Sequence, residues 1–365
     1  MSGPVDEQTH ETGNGALSSY PVRVAVVGLG YWGPNLVRNL HELPEAELVA
    51  VCDRDERALA RVRRRYPGVR QETDIDALLR DPAVEAIALA TPVATHHPLA
   101  RRALEAGKHV FVEKPLAASV DGAADLVRLG RERGLSVMAG HTFLYSPAVN
   151  LIRRHIDEGV IGTPYFISMS RVNLGLHQND VSVVWDLGPH DFSILRYWLD
   201  ESPLMVSAIG RSCVIPGRDD VAFVNLEFGS GAIAHVELSW LAPSKLRRTT
   251  IVGSEKMIVY DDTSAEPVRV FDSGVQHRPP ETFGEFQLSY RTGDIVSPRL
   301  EVVEPLLHEM LDFCRSVRGL GVPRSSGAFG LEIVRVIEAV ERSLERGGEP
   351  VLLADEVPVP IRAAQ

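Results

Sequence analysis

The sequence has 365 residues, 44% hydrophobic and 24% charged, which is long enough for two globular domains that each bury a core. Its formal net charge of −11 argues against a nucleic-acid partner, because phosphate binding depends on lysine and arginine. Three scattered cysteines without CxxC spacing exclude a disulfide framework and a cysteine-based zinc site, and no apolar stretch approaches the ~20 residues that span a bilayer.

Residues 1–20 are polar, acidic and rich in glycine and serine, without the basic start and apolar run of a secretion signal. We expect a disordered tail there, and a cytoplasmic protein with no membrane contact. The sequence also lacks HExxH, nucleophile-elbow and P-loop motifs, so it gives no support for a hydrolase or a kinase. We expect no metal site.

Strands alternate with helices over residues 21–142, which we expect to form the first domain. Short runs rich in β-branched residues predict the strands, and amphipathic stretches between them predict the helices. The predicted strands are Val22–Val27, Leu48–Cys52, Val84–Ala90, His109–Val112 and Ser136–Gly140, and the helices run from Pro34 to Leu40 and over Glu56–Arg65, Thr95–Ala106 and Val120–Arg133. This alternation favours an α/β fold with a doubly wound parallel sheet of the Rossmann type.

Beyond residue 142 the apolar period shortens to about two, which predicts a second domain over residues 143–365 with an open, mostly antiparallel sheet. A connecting helix is expected over Ala148–Glu158. The predicted strands are Tyr165–Val172, Val206–Val214, Ala222–Phe228, Ala232–Trp240, Arg248–Val252 and Met257–Tyr260. Two further helices, Val303–Arg318 and Ala328–Arg346, can pack elsewhere and leave one sheet face for a subunit partner.

The loop Gly28-Leu29-Gly30-Tyr31-Trp32-Gly33 follows the first strand and precedes a helix, as a dinucleotide-binding loop does. Its glycines permit a tight turn, close approach of the pyrophosphate and helix–strand packing. Asp53 stands directly after the second strand, where a carboxylate binds the ribose hydroxyls and repels a 2′-phosphate, so NAD is favoured over NADP. Arg54 leaves NADP open, because an arginine there pairs with a phosphate or stacks on adenine.

Glu113-Lys114-Pro115 ends a strand at the carboxyl edge of the predicted sheet, where doubly wound folds bind ligands. A lysine beside the nicotinamide can hydrogen-bond the substrate oxygen, although a strand-end lysine taken alone is more often a surface charge. The loop Thr91-Pro92-Val93-Ala94-Thr95-His96 also follows a strand, and we expect His96 to be structural and close to the cofactor. The candidate cofactor-binding residues are Gly28, Gly30, Tyr31, Trp32, Gly33, Asp53, Arg54, Thr91, Pro92, His96, Glu113 and Lys114.

Trp185-Asp186-Leu187-Gly188-Pro189-His190-Asp191 places Asp186 and His190 on one face at the start of a helix. His190 can take a hydroxyl proton while Asp186 orients its neighbours. The alternative is a helix cap and a satisfied polar residue.

Candidate substrate-binding residues lie at the end of the last predicted parallel strand and on the first strand of the second domain. They are His141, Tyr145, Arg171 and Asn173. For Arg171 and Asn173 a solvent-facing position is equally compatible with the sequence.

These motifs resemble those of the glucose–fructose oxidoreductase / inositol dehydrogenase (Gfo/Idh/MocA) family. The resembling segments are GLGYWGPN at 28–35, ATPVATHHPLARRALEAGKHVFVEKPLA at 90–117, GHTFLYSPAV at 140–149 and WDLGPHD at 185–191. The resemblance implies a Rossmann domain and a C-terminal domain whose open sheet mediates oligomerisation, as a homodimer or homotetramer. It also implies that Lys114, Asp186 and His190 are the catalytic set.

Ser182-Val183-Val184-Trp185 replaces the glycine-rich run that inositol-dehydrogenase-like members often carry before the aspartate. With GHTFLYSPAV and Arg171-Val172-Asn173, this segment is more similar to the nucleotide-sugar branch. The main hypothesis is therefore NAD-dependent oxidation of a secondary alcohol, at C3 of an NDP-hexose. The alternatives are a free sugar or cyclitol substrate, redox-neutral chemistry with tightly held NAD, and an NAD-sensing protein without catalysis.

Overall fold

The computed structural model describes residues 20–175, 181–277 and 288–353. The tail expected at residues 1–20 lies, except for Tyr20, outside the described residues. In chain order the elements are β1 (Val22–Val27), α1 (Gly33–Glu42), β2 (Ala46–Cys52), α2 (Glu56–Arg65), β3 (Arg70–Glu72), α3 (Ile75–Leu79), β4 (Ala86–Leu89), α4 (His96–Glu105), β5 (His109–Glu113), α5 (Val120–Arg133), β6 (Val137–Gly140), α6 (Pro147–Asp157), β7 (Pro164–Leu174), α7 (Val183–Leu199), β8 (Met205–Arg211), β9 (Val221–Glu227), β10 (Ile233–Ser239), β11 (Leu241–Gly253), β12 (Met257–Asp261), β13 (Val268–His277), β14 (Leu288–Val296), α8 (Pro305–Val317), α9 (Gly327–Glu345) and β15 (Val351–Leu352).

The first sheet has six parallel strands in the order β3-β2-β1-β4-β5-β6. Strands β4 and β6 are buried along their whole length, which explains their continuous apolar sequences. This arrangement confirms the predicted α/β class and the doubly wound sheet. Strand β3 and helix α3 were not predicted, because three polar residues and a five-residue helix are too short to show a period.

The second sheet has nine strands in the order β14-β13-β12-β11-β7-β10-β9-β8-β15. Its neighbours pair antiparallel except β7 and β10, which run parallel, so the predicted open and mostly antiparallel sheet is confirmed. Helices α7 and α9 pack against one face. The outward side chains of neighbouring strands include the exposed apolar residues Ile209, Phe223 and Ile233.

Several predicted boundaries in the second sheet were wrong. Strand β8 ends at Arg211 rather than Val214, because the Asp220 carboxylate accepts the backbone N–H groups of Cys213 (3.1 Å) and Val214 (2.8 Å) and turns the chain. Strand β11 begins seven residues before the predicted Arg248, and its added segment pairs with β7 through an irregular register. Strands β13, β14 and β15 were not predicted.

The terminal helices pack apart from each other. Helix α8 returns to the first sheet, where Leu306, Met310 and Phe313 join the apolar core and Phe313 meets Phe111 edge-on at 5.8 Å between ring centroids. Helix α9 contacts α5 and β6 on one side and α7 and β8 on the other. It therefore connects the two sheets, and the domain division at residue 142 stays a prediction.

Candidate active site

The carboxyl ends of four parallel strands place the first group of predicted site residues along one edge. Gly28 follows β1, Thr91 comes shortly after β4, Lys114 follows β5 and His141 follows β6. These strands are neighbours in the order β1-β4-β5-β6. Doubly wound sheets bind their ligands outside this edge, so the four residues lie at the edge where the sequence predicts the cofactor to bind.

The glycine loop has the shape that a dinucleotide requires. Gly28 adopts a φ of +93°, which favours glycine, and a Cβ on Gly33 would lie 1.9 Å from the Gly28 carbonyl oxygen. A Cβ on Gly30 would meet nothing within 4 Å, so the surface above this backbone is open. Helix α1 starts at Gly33, the last glycine of the loop, with a proline in its first turn. The residues therefore fit a pyrophosphate at the helix N-terminus.

Asp53 is fixed beside this loop. Its Oδ2 accepts the Leu29 N–H at 2.6 Å, and its Oδ1 accepts the Asp55 N–H at 2.8 Å. Lone pairs on both Asp53 oxygens remain for ribose hydroxyls. The neighbouring Arg54 is exposed. Tyr31 and Trp32, two of the candidate cofactor-binding residues, are exposed in the same loop.

His96 joins two strand-end loops, which agrees with the structural role expected for it. Its Nδ1 lies 2.7 Å from the Pro115 carbonyl oxygen, and its Nε2 lies 2.8 Å from the Thr91 carbonyl oxygen. The ring is buried, so these contacts fix the loop after β4 against the turn that follows β5. The predicted loop at Thr91 and Pro92 is thereby held next to Lys114.

Lys114 meets Asp186 across the boundary between the two sheets. The Lys114–Pro115 peptide is cis. The Lys114 ammonium donates to the Asp186 backbone carbonyl at 2.7 Å and to Asp186 Oδ1 at 3.2 Å. An ammonium has three N–H donors, so one remains for a ligand. The structure thus pairs the strand-end lysine with α7, and the alternative of an unpartnered surface charge is wrong.

His190 lies one helical turn after Asp186, inside α7, which begins at Val183. Its ring packs edge-on against Phe143 at 5.1 Å between centroids, and its Nδ1 is buried without a partner among the described residues. Burial lowers the pKa of His190 well below its usual value, and the charges of Lys114, Arg171 and Arg247 lower it further. The imidazole is therefore neutral near pH 7.

Arg171 is buried, so its alternative position facing solvent is wrong. Its Nε donates to Asp191 Oδ2 at 2.6 Å and its Nη2 to Asp191 Oδ1 at 2.9 Å, a bidentate pair. The guanidinium also lies over the Phe143 ring, 4.6 Å from its centroid. Only Nη1 lacks a partner within the described part of the chain, so Arg171 mainly braces the Phe143 ring that packs against His190.

Asn173 lies two residues further along β7, on the same face as Arg171. Its side-chain oxygen is buried and accepts no hydrogen bond from the described residues. A buried acceptor without a donor is costly unless a ligand or water supplies one. This geometry suits a substrate hydroxyl.

His141 and two buried carboxyl groups lie beneath the lysine. Burial and the charge of Lys114 lower the pKa of His141 to about 3, and both of its ring nitrogens are buried without a partner in the described ranges. Burial raises the pKa of Glu113 to about 7, against the opposing effect of Lys114. Glu309 of α8 accepts the Thr142 hydroxyl at 2.7 Å, and burial followed by the charge of Glu113 raises its pKa well above the usual value.

Tyr145 does not take the expected position beside the substrate. Its hydroxyl donates to Asp312 at 2.7 Å and lies 3.3 Å from Ser325, and its ring packs in the core of the first sheet. The hydroxyl is therefore committed to partners inside the protein. This placement assigns Tyr145 to fixing the loop after β6 rather than to direct contact with a ligand.

Several site residues carried no recognisable sequence signal. Trp240 donates its indole N–H to Asp186 Oδ2 at 3.1 Å, whereas its sequence pattern predicts only the apolar end of a strand. Arg247 lies over Phe143 and pairs with Asp262 at 3.1 Å, but it precedes the predicted start of its strand. Asp191 is the exception, because it adjoins His190 within a motif that the sequence already marked.

No group of three or more histidine, cysteine, aspartate or glutamate side chains in residues 20–175, 181–277 and 288–353 is placed to hold a metal ion. Among the helices in those same ranges, none is both long and apolar enough to cross a membrane.

Comparison with known proteins gives two family matches and close relatives in sequence and structure. A model described as "Oxidoreductase family, NAD-binding Rossmann fold" matches residues 22–141, and one described as "GFO/IDH/MocA C-terminal domain" matches residues 149–259. A scyllo-inositol 2-dehydrogenase (NAD(+)) of Bacillus subtilis is 32% identical over 66% of this chain and 73% of its own length. A UDP-N-acetylglucosamine 3-dehydrogenase of Acidithiobacillus ferrooxidans is 26% identical over 66% of this chain and 74% of its own. The crystal structure of GenD2 from gentamicin A biosynthesis, in complex with NAD, superposes with a TM-score of 0.78 and 25% identity, covering 97% of this chain and 100% of that one.

Proposed function

Because this chain belongs to the Gfo/Idh/MocA family of oxidoreductases, whose first domain is an NAD-binding Rossmann fold, we propose that it reversibly oxidises a secondary alcohol on a sugar ring with Lys114, Asp186 and His190 as its catalytic set. One observation carries the proposal. The Lys114 ammonium at the end of a Rossmann strand is bonded to Asp186, one helical turn before His190. Besides burial, the charge of Lys114 lowers the pKa of His190, which supports a common ligand for the lysine and the histidine.

Lys114 holds the substrate oxygen in this proposal. Two of its N–H groups are engaged by Asp186, so its third donor is directed by those two bonds. A hydrogen bond to the reacting oxygen orients the alcohol and stabilises the negative charge that develops on it. Asp186 fixes this geometry, since both its backbone and its side chain accept from the lysine.

His190 accepts the hydroxyl proton. Its lowered pKa keeps the imidazole neutral, and the bulk of Phe143 on one side restricts the directions from which a substrate approaches the ring. Proton transfer to a positioned base of this kind contributes typically about 10²–10⁴-fold to a rate. In the reverse direction the protonated ring returns the proton to the ketone oxygen.

The family model that matches the first domain is described as an NAD-binding Rossmann fold, and the residues of the chain fit NAD. The open backbone at Gly30 and the N-terminus of α1 would hold the pyrophosphate, and Asp53 would bind the adenine ribose. Bound NAD supplies the hydride acceptor for alcohol oxidation. The loops at Thr91 and Lys114, joined through His96, would border its nicotinamide end.

For the substrate we infer an NDP-hexose oxidised at C3. The similarity to UDP-N-acetylglucosamine 3-dehydrogenase supports this choice, and so does the segment before Asp186. Val183 and Val184 are fully buried and begin α7, so this segment is a packed helical turn rather than a glycine-rich loop. The buried oxygen of Asn173 would accept a hydroxyl of the hexose ring.

A cyclitol is the second candidate, and the charge balance of the site favours it. Each cation near His190 is paired with a carboxylate: Lys114 with Asp186, Arg171 with Asp191 and Arg247 with Asp262. The site around the reacting carbon is therefore close to neutral, as suits an uncharged polyhydroxylated ring. The similarity to scyllo-inositol 2-dehydrogenase supports the same choice.

A substrate panel separates these candidates. We would follow NADH formation with UDP-N-acetylglucosamine, scyllo-inositol, myo-inositol and free hexoses, each with NAD and with NADP. UDP-N-acetylglucosamine deuterated at C3 is expected to transfer its deuterium to NAD and so to form deuterated NADH. Turnover with inositols but not with the nucleotide sugar would replace the first candidate by the second. Protein that is purified with NADH already bound and turns over no added NAD would instead indicate redox-neutral chemistry.

The homodimer or homotetramer expected from the sequence remains part of the proposal. Its support is the outer face of the second sheet, where Ile209, Phe223 and Ile233 are exposed on neighbouring strands. Light scattering coupled to size exclusion would measure the mass in solution.

A further inference from the structure

Trp240 occupies the junction between β10 and β11, at the inner end of the site. Only 1% of its surface is exposed, and its indole N–H donates to Asp186 Oδ2 at 3.1 Å. Its backbone is fixed on both sides: its N–H donates to the Asp220 carbonyl at 3.0 Å, and its carbonyl accepts the Gly175 N–H at 3.1 Å. The indole is therefore held rigidly by the second sheet.

The two oxygens of the Asp186 carboxylate have different partners. Oδ1 accepts from Lys114, which follows a strand of the first sheet, and Oδ2 accepts from Trp240 of the second sheet. An indole nitrogen only donates, so Trp240 is the donor and Asp186 the acceptor in this contact. A hydrogen bond to an ionised acceptor is stronger than one between two neutral groups. Without the indole, the 3.2 Å bond from Lys114 would be the remaining described restraint on rotation of the carboxylate about its Cβ–Cγ bond.

We propose that Trp240 is a positioning residue that fixes the Asp186 carboxylate and, through it, the direction of the free Lys114 N–H. The inference rests on the proposed function, because it requires Lys114 to hold the substrate oxygen. Loss of the indole N–H should lower kcat more than NAD affinity, since the bond that is lost is made to Asp186 and not to the glycine loop. A misplacement of about 1 Å at a reacting group costs up to about 100-fold in rate.

Two substitutions separate the N–H from the bulk of the ring. Trp240→Phe keeps a large aromatic side chain and removes the donor. Trp240→His keeps a five-membered ring whose Nε2 corresponds to the indole nitrogen, and it removes the bulk. If Trp240 acts through Asp186, kcat falls about 10- to 100-fold in Trp240→Phe and less in Trp240→His. If Trp240 only fills space, the larger phenylalanine is the better replacement and the order is reversed, which overturns the proposal.

Trp198→Phe is the matched control. Trp198 is equally buried, and its indole N–H donates to the Val149 carbonyl at 2.9 Å, away from the catalytic residues. Loss of the Trp198 indole N–H removes the same kind of bond from the same domain. Because this bond lies away from the catalytic residues, kcat should stay within about threefold of wild type while the melting temperature falls. A similar loss of kcat in both tryptophan variants would assign the effect to general destabilisation and overturn the inference.

Indole N–H resonances test the contact without any substrate. The chain has four tryptophans, so each indole signal of isotope-labelled protein can be assigned by its disappearance in a single variant. Asp186→Ala should shift the Trp240 signal and leave the Trp198 signal in place; an unmoved Trp240 signal overturns the proposal. If Lys114→Ala keeps its turnover, the proposed function fails. If Lys114→Ala is inactive and Trp240→Phe is fully active, only the role of Trp240 fails.

Discussion

The Lys114 ammonium donates at 2.7 Å to the backbone carbonyl of Asp186 as well as at 3.2 Å to its carboxylate. The shorter contact uses an atom that no substitution of Asp186 removes. Lys114 ends a Rossmann strand and Asp186 lies in the first turn of α7, so the site exists only when the two sheets are packed together. Catalytic geometry and packing between the sheets are thus expected to be lost together.

Lys114→Ala should abolish turnover and leave NAD binding nearly intact. The substitution removes the donor to the substrate oxygen, whereas the glycine loop and Asp53 are untouched. We expect the kcat of Lys114→Ala to fall about 10³-fold or more. The kcat of Asp186→Asn should fall less, because the backbone carbonyl of residue 186 still accepts from the lysine. Steady-state kinetics and NAD titration by protein fluorescence measure both effects. Lys256→Ala, at the turn between β11 and β12, is the control; turnover of Lys114→Ala within a few-fold of wild type would contradict the assignment.

The pH dependence of alcohol oxidation should report His190. Because burial and three cations lower its pKa, the neutral form that accepts the proton persists below pH 6.5, and the acid limb of kcat/KM lies there. Arg247→Gln removes one of those cations, so the pKa of His190 should rise and the acid limb should move to higher pH. Profiles of both proteins in the same buffers test the sign. An acid limb that moves to lower pH in the variant would rule out His190 as the base.

Glu113→Gln should change how stability depends on pH. The pKa of Glu113 is raised from 4.5 to about 7 in the folded protein, so the folded state binds the proton more tightly than the unfolded chain. Wild-type stability therefore falls as pH rises from about 4.5 to 7, by up to about 3 kcal/mol. The glutamine variant lacks this loss, and its melting temperature relative to wild type should rise across the same window. Glu132→Gln, in which the lost carboxylate is exposed on α5, is the control; a constant difference between Glu113→Gln and wild type would refute the argument.

The parts of the site that the sequence predicts are those that follow a strand end directly. Gly28, Lys114 and His141 each follow a buried apolar run, so their side of the sheet is implied by the βαβ pattern alone. Trp240 and Glu309 had no such signal. Their roles depend on which distant elements pack together: the β10–β11 junction against α7, and α8 against the loop after β6.

The same limit applies to the directions of the Arg171 and Tyr145 side chains, which the sequence did not determine. Arg171 has the alternation of a half-exposed strand, and only the bidentate pair with Asp191 of α7 accounts for its burial. Tyr145 lies in a segment that borders the site, but Asp312 of α8 takes its hydroxyl. In both cases a partner far away in the chain decides the direction of the side chain, and a local pattern carries no information about that partner.

The glycine loop offers a pair of substitutions that separates folding from NAD binding. A Cβ on Gly33 would lie 1.9 Å from the Gly28 carbonyl oxygen, so Gly33→Ala must displace backbone and should lower both the melting temperature and NAD affinity. A Cβ on Gly30 meets nothing within 4 Å, so Gly30→Ala should fold with an unchanged melting temperature. It should nevertheless bind NAD about 10-fold or more weakly, because the methyl group occupies the space that the pyrophosphate approaches. Thermal melting without ligand and NAD titration measure the two effects, and wild-type NAD affinity in Gly30→Ala would show that the pyrophosphate does not bind over this loop.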